Sequence, residues 1–240
     1  MIEYLEIVRD KLNEIEATDR DKIIFLAEKF ADTVEKDGLI YIFGCGHSHM
    51  AAEECFYRAG GLANVYPIFS EELMLHQGAV TSSRLERMNG RAVQFLEKYN
   101  FSKKDIFIVV SVSGINGVPV QAAQEAKRRG AYTVGITSRA YDEEKSRAEG
   151  GVHLYECCDL VFDNRCPKGD AGIRAGNTVC APLSTITVTA ILESIVSEAV
   201  GKMIARGIEP PVFVSGNIEG GAEKNLRLIK RYEKRVSCLK

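Results

Sequence analysis

The chain is expected to fold as an α/β domain on a doubly wound, five-stranded parallel sheet, with a helical segment in front of it. Three observations predict this. Residues 39–43, 105–110 and 131–136 are short runs rich in apolar and β-branched residues, the kind buried on both faces of a parallel sheet. Each run ends in Gly, Ser, Thr or Asn and leads into a further segment, as in repeated β-to-α units. No internal repeat or low-complexity linker interrupts the series, so the strands read as one sheet.

The chain opens with helical spacing. Tyr4, Leu5, Val8, Leu12 and Ile15 form one stripe, and Ile23, Ala27, Phe30, Ala31 and Val34 a second. Thr18 followed by Asp21 reads as a helix start and Gly38 as a stop, so two helices are expected over residues 1–37, packed on a domain over 38–240. Eleven acids against six bases in residues 1–37 make a poor DNA-reading surface. A formal net charge of -2 over 240 residues likewise gives no case for nucleic acid or an anionic membrane. No signal peptide or membrane span is read, since residues 186–204 are interrupted by Glu193, Ser194, Ser197 and Glu198; a cytoplasmic protein is expected. Seven cysteines with no Cys-x-x-Cys spacing signal neither a zinc ribbon nor a thioredoxin site, and Cys45 is expected to serve packing.

The first strand breaks into Gly44-Cys45-Gly46-His47-Ser48-His49, followed by a helix over 50–58. Gly44 and Gly46 begin a dinucleotide fingerprint, but His49 stands where the third glycine belongs, and Glu71 and Glu72 fall beyond the position of the ribose-binding acid. His47-x-His49 has no third ligand at a recognisable spacing, so no metal is assigned. Ser48 is placed as the N-cap of the following helix. A strand over 64–69 and a helix over 84–99, with Val93 and Leu96 facing inward, lead to the central strand.

That strand, 105–110, opens into Ser111-Val112-Ser113-Gly114-Ile115-Asn116-Gly117 and a helix over 120–129. The carboxyl end of a central strand, where a helix starts, attracts anions: main-chain amides point there and carry partial positive charge. Ser111, Ser113 and Asn116 add donors, and Gly114 and Gly117 let a ligand approach the backbone, so a phosphate is the expected occupant. The same residues also serve plain turns, which leaves an ordinary βα turn as the alternative. Thr137 and Ser138 end the next strand, residues 139–150 are a charged, solvated helix or loop, and 160–163 form the last strand. Residues 166–172 read as irregular. A helix over 186–204, starting near Ser184-Thr185, is apolar nearly all round and calls for deep burial and a homo-oligomer, and a basic amphipathic helix over 222–235 closes the chain.

Gly44-x-Gly46-x-Ser48, Ser111-x-Ser113-Gly114 and the late Ser184-Thr185 helix start together resemble the SIS (sugar isomerase) domain family of phosphosugar-binding proteins over about residues 35–215. Gly46-His47-Ser48-His49-Met50, Ala52-Glu53-Glu54, Leu73-Met74-Leu75-His76 and Pro167-Lys168-Gly169-Asp170-Ala171 are similar to the marks of a bacterial subgroup of it. The resemblance implies a flavodoxin-like sheet, a small phosphosugar as ligand, no cofactor, and a site at the carboxyl edge that a neighbouring subunit of a dimer or tetramer usually completes. Carried over by position, it implies that Ser48, Ser111, Ser113 and Gly114 contact phosphate or sugar; Gly44, Gly46, His47, Asn116, Gly117 and Ser184 are further candidates for the site, and Thr137 and Ser138 close the next strand at the same edge. Asn116 departs from the Ser or Thr of many relatives.

Aldose–ketose isomerisation needs a base that moves a proton between adjacent carbons and a group that opens the sugar ring. Glu54 is expected as base and His76 as ring opener, with Glu53 or Glu72 as substitutes and Glu193 as a further carboxylate. A phosphosugar sensor without turnover and a sugar-phosphate lyase or etherase remain the alternatives, because the fold hosts all three.

Overall fold

A computed structural model describes residues 2–240. The parallel strands β1 (Ile40–Gly44), β2 (Val65–Ile68), β3 (Ile106–Val110), β4 (Tyr132–Thr137) and β5 (Leu160–Asp163) lie in the order β2-β1-β3-β4-β5. This is the expected doubly wound α/β sheet. The helices are α1 (Glu3–Glu35), α2 (Met50–Cys55), α3 (Ala79–Glu86), α4 (Arg91–Leu96), α5 (Gly117–Arg128), α6 (Leu154–Cys157), α7 (Ser184–Ala205) and α8 (Gly221–Tyr232). Every residue of β1 and β3 is buried, because alternate side chains enter two separate cores. Ile40, Ile42, Ile106 and Ile108 pack beneath α1, α2 and α7, whereas Tyr41, Phe43, Phe107 and Val109 pack beneath α3, α4, α5 and α8.

The strand order reverses between β1 and β3, which makes their carboxyl ends the topological switch point. Gly44 lies opposite Val110, so both strands run out at one level. Their amino ends are fastened by the buried carboxylate of Asp105, which accepts from the Leu39 amide at 2.8 Å and from the Ser102 amide and hydroxyl at 2.7 Å each.

Several expected elements are corrected. Residues 3–35 form one helix, not two: they hold no Gly or Pro, and the Thr18 hydroxyl donates to the Glu14 carbonyl at 2.8 Å inside the helix instead of capping a new one. The helix over 84–99 is two, α3 and α4, broken where Gly90 takes a left-handed φ of 87°; Leu96 is buried but Val93 is exposed. Ser48 sits within a 3₁₀ turn over Gly46–His49 and its side chain caps nothing. Residues beyond 170 make an antiparallel hairpin, β6 (Ala171–Ala175) and β7 (Thr178–Pro182). Residues 139–150 are held down rather than merely solvated: the Arg147 amide donates to the Ile115 carbonyl at 2.8 Å, and the buried Ser146 hydroxyl donates to the Val152 carbonyl at 2.6 Å. Helix α7 buries Val188, Ile191, Leu192 and Ile195 but leaves Ile186 and Ile204 exposed, so its apolar surface is only partly covered in the single chain.

On α5, hydrogen bonds from Arg128 and Arg129 to the buried Glu125 carboxyl hold it down at about 2 against the opposing effect of burial. The folded value lies below the roughly 4.3 of a free glutamate, so the stabilisation is complete above that pH and is lost as pH falls toward 2. Glu125→Gln should therefore be less stable than the unaltered protein at pH 7, with the gap closing between about pH 4.3 and 2. Urea melts across that range check this; a gap that stays constant contradicts it.

Candidate functional site

The switch point is roofed by two turns. The first, residues 44–49, folds back on β1: the Ser48 amide donates to the Cys45 carbonyl at 3.0 Å, and a Cβ on Gly44 would lie 2.4 Å from the Ser48 carbonyl oxygen. Only glycine fits at that close approach. Gly46 lies beneath the turn of residues 73–77, with the Leu75 side chain 3.7 Å from where its Cβ would stand. Cys45 is buried, and burial together with the nearby Glu86 charge pushes its thiol well above the usual range, as a packing residue requires.

The second turn follows β3. The Gly114 amide donates to the buried Ser111 hydroxyl at 3.3 Å. Gly114 has a φ of 61°, and a Cβ there would meet the Thr137 hydroxyl oxygen at 2.5 Å. Thr137 in turn donates to the Val112 carbonyl at 3.3 Å, so it braces the turn from β4. Ser113 is half-buried, and among the described residues its hydroxyl has no protein partner. Gly117 begins α5, whose first-turn amides have no carbonyl within the helix to accept them. Asn116 precedes it with an amide already committed: Nδ2 donates to Glu86 Oε1 at 2.8 Å, and Oδ1 accepts from Arg147 at 3.0 Å.

A small cleft opens beside these turns, lined by His47, Ser48, Val110, Val112, Ser184 and Thr185 among others. The start of α7 thus faces the first turn across the sheet edge. Its position is fixed by Asp170, which accepts from the Leu183 amide at 3.2 Å, the Ser184 amide at 2.8 Å and the Ser184 hydroxyl at 2.6 Å. Ser184 therefore lines the cleft with its hydroxyl proton given to Asp170. Ser138 is buried, donates to the Cys166 carbonyl and accepts from the Ala140 amide at 3.2 Å, so its hydroxyl is also committed.

The expected acid–base residues lie on α2, on the turns at 71–77 and on α7. Glu53 is exposed and 3.8 Å from His49 Nε2, and Glu54 pairs with Arg58. His49 Nδ1 meets the Gly46 carbonyl. His76 is exposed on the turn above Gly46, next to Leu75. Glu72 is clasped by Arg91 at 2.8 and 2.9 Å. Glu193 lies in a groove between α1 and α7, two and a half turns along α7 from Ser184, where burial pushes its carboxyl up despite the attraction of Arg58. Glu86, Arg147, Asp170 and Thr185 are the site residues that the sequence left unassigned. Of these, Asp170 lay in a quoted motif and Thr185 in the noted helix start. Glu86 and Arg147 carried no local signal.

A family model described as SIS domain matches residues 3–138. The chain is 45% identical to a UPF0309 protein of Geobacillus thermodenitrificans over 99% of this chain and 96% of that protein. It is 47% identical to a UPF0309 protein of Halalkalibacterium halodurans over 89% of this chain and 86% of that one. Among solved structures, a phosphoheptose isomerase from Francisella tularensis superposes with a TM-score of 0.52 at 15% identity, covering 83% of this chain and 95% of its own. The sugar isomerase domain of an RpiR transcription factor from Sphaerobacter thermophilus gives 0.50 at 14% identity over 97% of both chains. Those two likenesses bear on fold. The family match spans more than half of the sequence, and the chain belongs to the SIS domain family.

Proposed function

We propose that the protein binds a phosphorylated sugar at the β1–β3 switch point and interconverts its aldose and ketose forms by proton transfer. The observation that carries this is the level ending of β1 and β3, which brings the Gly/Ser turn after each strand to one edge, the second leading into α5. Unpaired amides there carry partial positive charge, and Ser113 holds a free hydroxyl, so a phosphate ester finds donors without needing a metal. The sugar is assigned to the sheet edge beside the small cleft lined by Ser48 and Thr185. A homo-oligomer belongs to the same proposal, supported by Ile186 and Ile204 on the outer side of α7, with Ile24 and Phe25 exposed on α1. Among the described residues, no helix is long and apolar enough to cross a membrane.

The test is a panel of hexose, pentose and amino-sugar phosphates, followed by thermal shift and by NMR of products. Stabilisation with interconversion is expected; stabilisation without product from any sugar would indicate a sensor, and no stabilisation would end the proposal. Ser113→Ala should weaken binding about tenfold or more, because a hydrogen bond to a charged oxygen contributes about 1.5–3 kcal/mol. Calorimetry checks this alongside an unchanged circular dichroism spectrum, and an unaltered affinity removes Ser113 from the site.

A further inference from the structure

A carboxyl group outside the motifs is tied to the switch point. Glu86 ends α3 and is the acceptor for Asn116 Nδ2 at 2.8 Å, which ties it to the turn after β3. It also acts electrostatically on the thiol of Cys45, at the end of β1. Helix α3 also packs against the 46–49 turn that follows β1, so the element carrying Glu86 meets both junctions. Only Oε1 is engaged; among the described residues Oε2 accepts no hydrogen bond, so one oxygen is left to act.

The group holding Glu86 is itself locked. Asn116 Oδ1 accepts from the Arg147 guanidinium at 3.0 Å, and turning the amide over would set its NH₂ against a donor and its oxygen against a carboxylate. Arg147 is anchored in turn: its amide donates to the Ile115 carbonyl at 2.8 Å, and its carbonyl accepts from Asn89 Nδ2 at 3.1 Å. A carboxylate, an amide and a guanidinium thus run in fixed order across the mouth of the second turn.

We propose that Glu86 is the catalytic residue that takes and returns the carbon-bound proton of the sugar, with Asn116 as its positioning residue and Arg147 holding Asn116. This rests on the phosphosugar isomerase reading given above. In the forward step the Glu86 carboxylate accepts the proton from the carbon beside the carbonyl, and the C–H electron pair forms the C=C bond of an enediolate. The hydroxyl proton then passes to the other oxygen, and Glu86 returns its proton to the former carbonyl carbon. The carbonyl reforms one carbon along. Nothing is oxidised or reduced overall, and no co-reactant is consumed.

The electrostatics suit a base. Burial pushes the Glu86 carboxyl up, while the Asn116 hydrogen bond and the Arg87 and Arg147 charges draw it back. A base moved toward neutrality accepts a proton from carbon more readily than a solvated glutamate does. The elements packed on α3 bring further titratable groups, namely His47 and His49 on the 46–49 turn, and Glu71, Glu72 and His76 on the turns at 71–77, with Glu72 neutralised by Arg91.

The experiment incubates the whole protein with the same sugar phosphates in D₂O. It follows thermal shift and, by NMR, deuterium incorporation at the carbon beside the carbonyl. Glu86→Gln should keep the thermal shift and lose incorporation by about a hundredfold or more, the usual size of a general-base effect. Asn116→Ala should retain incorporation but move its acid limb to higher pH, because the lost N–H favoured the ionised carboxyl; a merely structural amide would lower the rate at every pH without moving the limb. Incorporation by Glu86→Gln at the unaltered rate overturns the assignment. So does a thermal shift with no incorporation by the unaltered protein, which leaves phosphosugar binding standing. No thermal shift from any sugar phosphate removes the binding proposal, and this one with it.

Discussion

Gly44→Ala is expected to destabilise the protein by about 1–3 kcal/mol, the range for overpacking a close-packed site, and to abolish phosphosugar binding. The new methyl carbon would stand 2.4 Å from the Ser48 carbonyl oxygen and 2.5 Å from its carbonyl carbon. Both are main-chain atoms, so no rotamer change relieves the contact. Either β1 sinks, against a sheet whose every neighbour is buried, or the turn over 45–49 lifts. Lifting it carries His47 and Ser48 out of the cleft they line. Total stabilities are about 5–15 kcal/mol, so such a loss is readily measured by urea denaturation. Stability and calorimetric affinity both equal to those of the unaltered protein would show that the turn is not pinned in this way.

Asp170→Ala should cost about 2–3 kcal/mol, because the carboxylate serves two amides and a hydroxyl at the start of a 22-residue helix. Without it the first turn of α7 has no side-chain acceptor, and Ser184 and Thr185 lose their fixed place beside the cleft. Asp170 also has a φ of 65°, which alanine tolerates poorly and asparagine well. Asp170→Asn should therefore be the milder change, since it keeps the backbone geometry and one acceptor oxygen. Thermal denaturation of the two variants separates these outcomes, and equal losses would refute the cap.

The strands were legible because burial on both faces leaves a continuous apolar run, and the five runs fall in one sheet. The hairpin β6–β7 was not, although Gly176-Asn177 sits at its bend. Arg174, Ala175, Thr178, Val179 and Cys180 are all exposed, so no alternation of polar and apolar residues marks two strands. The single helix α1 was missed because Thr18 and Asp21 imitate a start signal, whereas the Thr18 hydroxyl bonds within the helix. In the site, residue types showed which atoms can donate but not where those atoms are already spent. Ser138 and Ser184 look like ligand donors until Cys166 and Asp170, 28 and 14 residues away, are seen to take their protons. Glu86 was invisible for the converse reason: its partner Asn116 lies 30 residues along the chain, and only tertiary packing brings them together.

Asp105 has a reach that its position conceals. By bonding Leu39 and Ser102 it stakes the starting line of the two central strands, about 16 Å from where they finish. Strands of equal length that start together must stop together, so this acid works as a ruler for a region it never touches. A slip of one residue would turn every side chain of β1 to the wrong layer and stagger the two finishing points. Damage at this remote peg would consequently surface as a mis-shaped mouth, with every mouth residue still in the sequence.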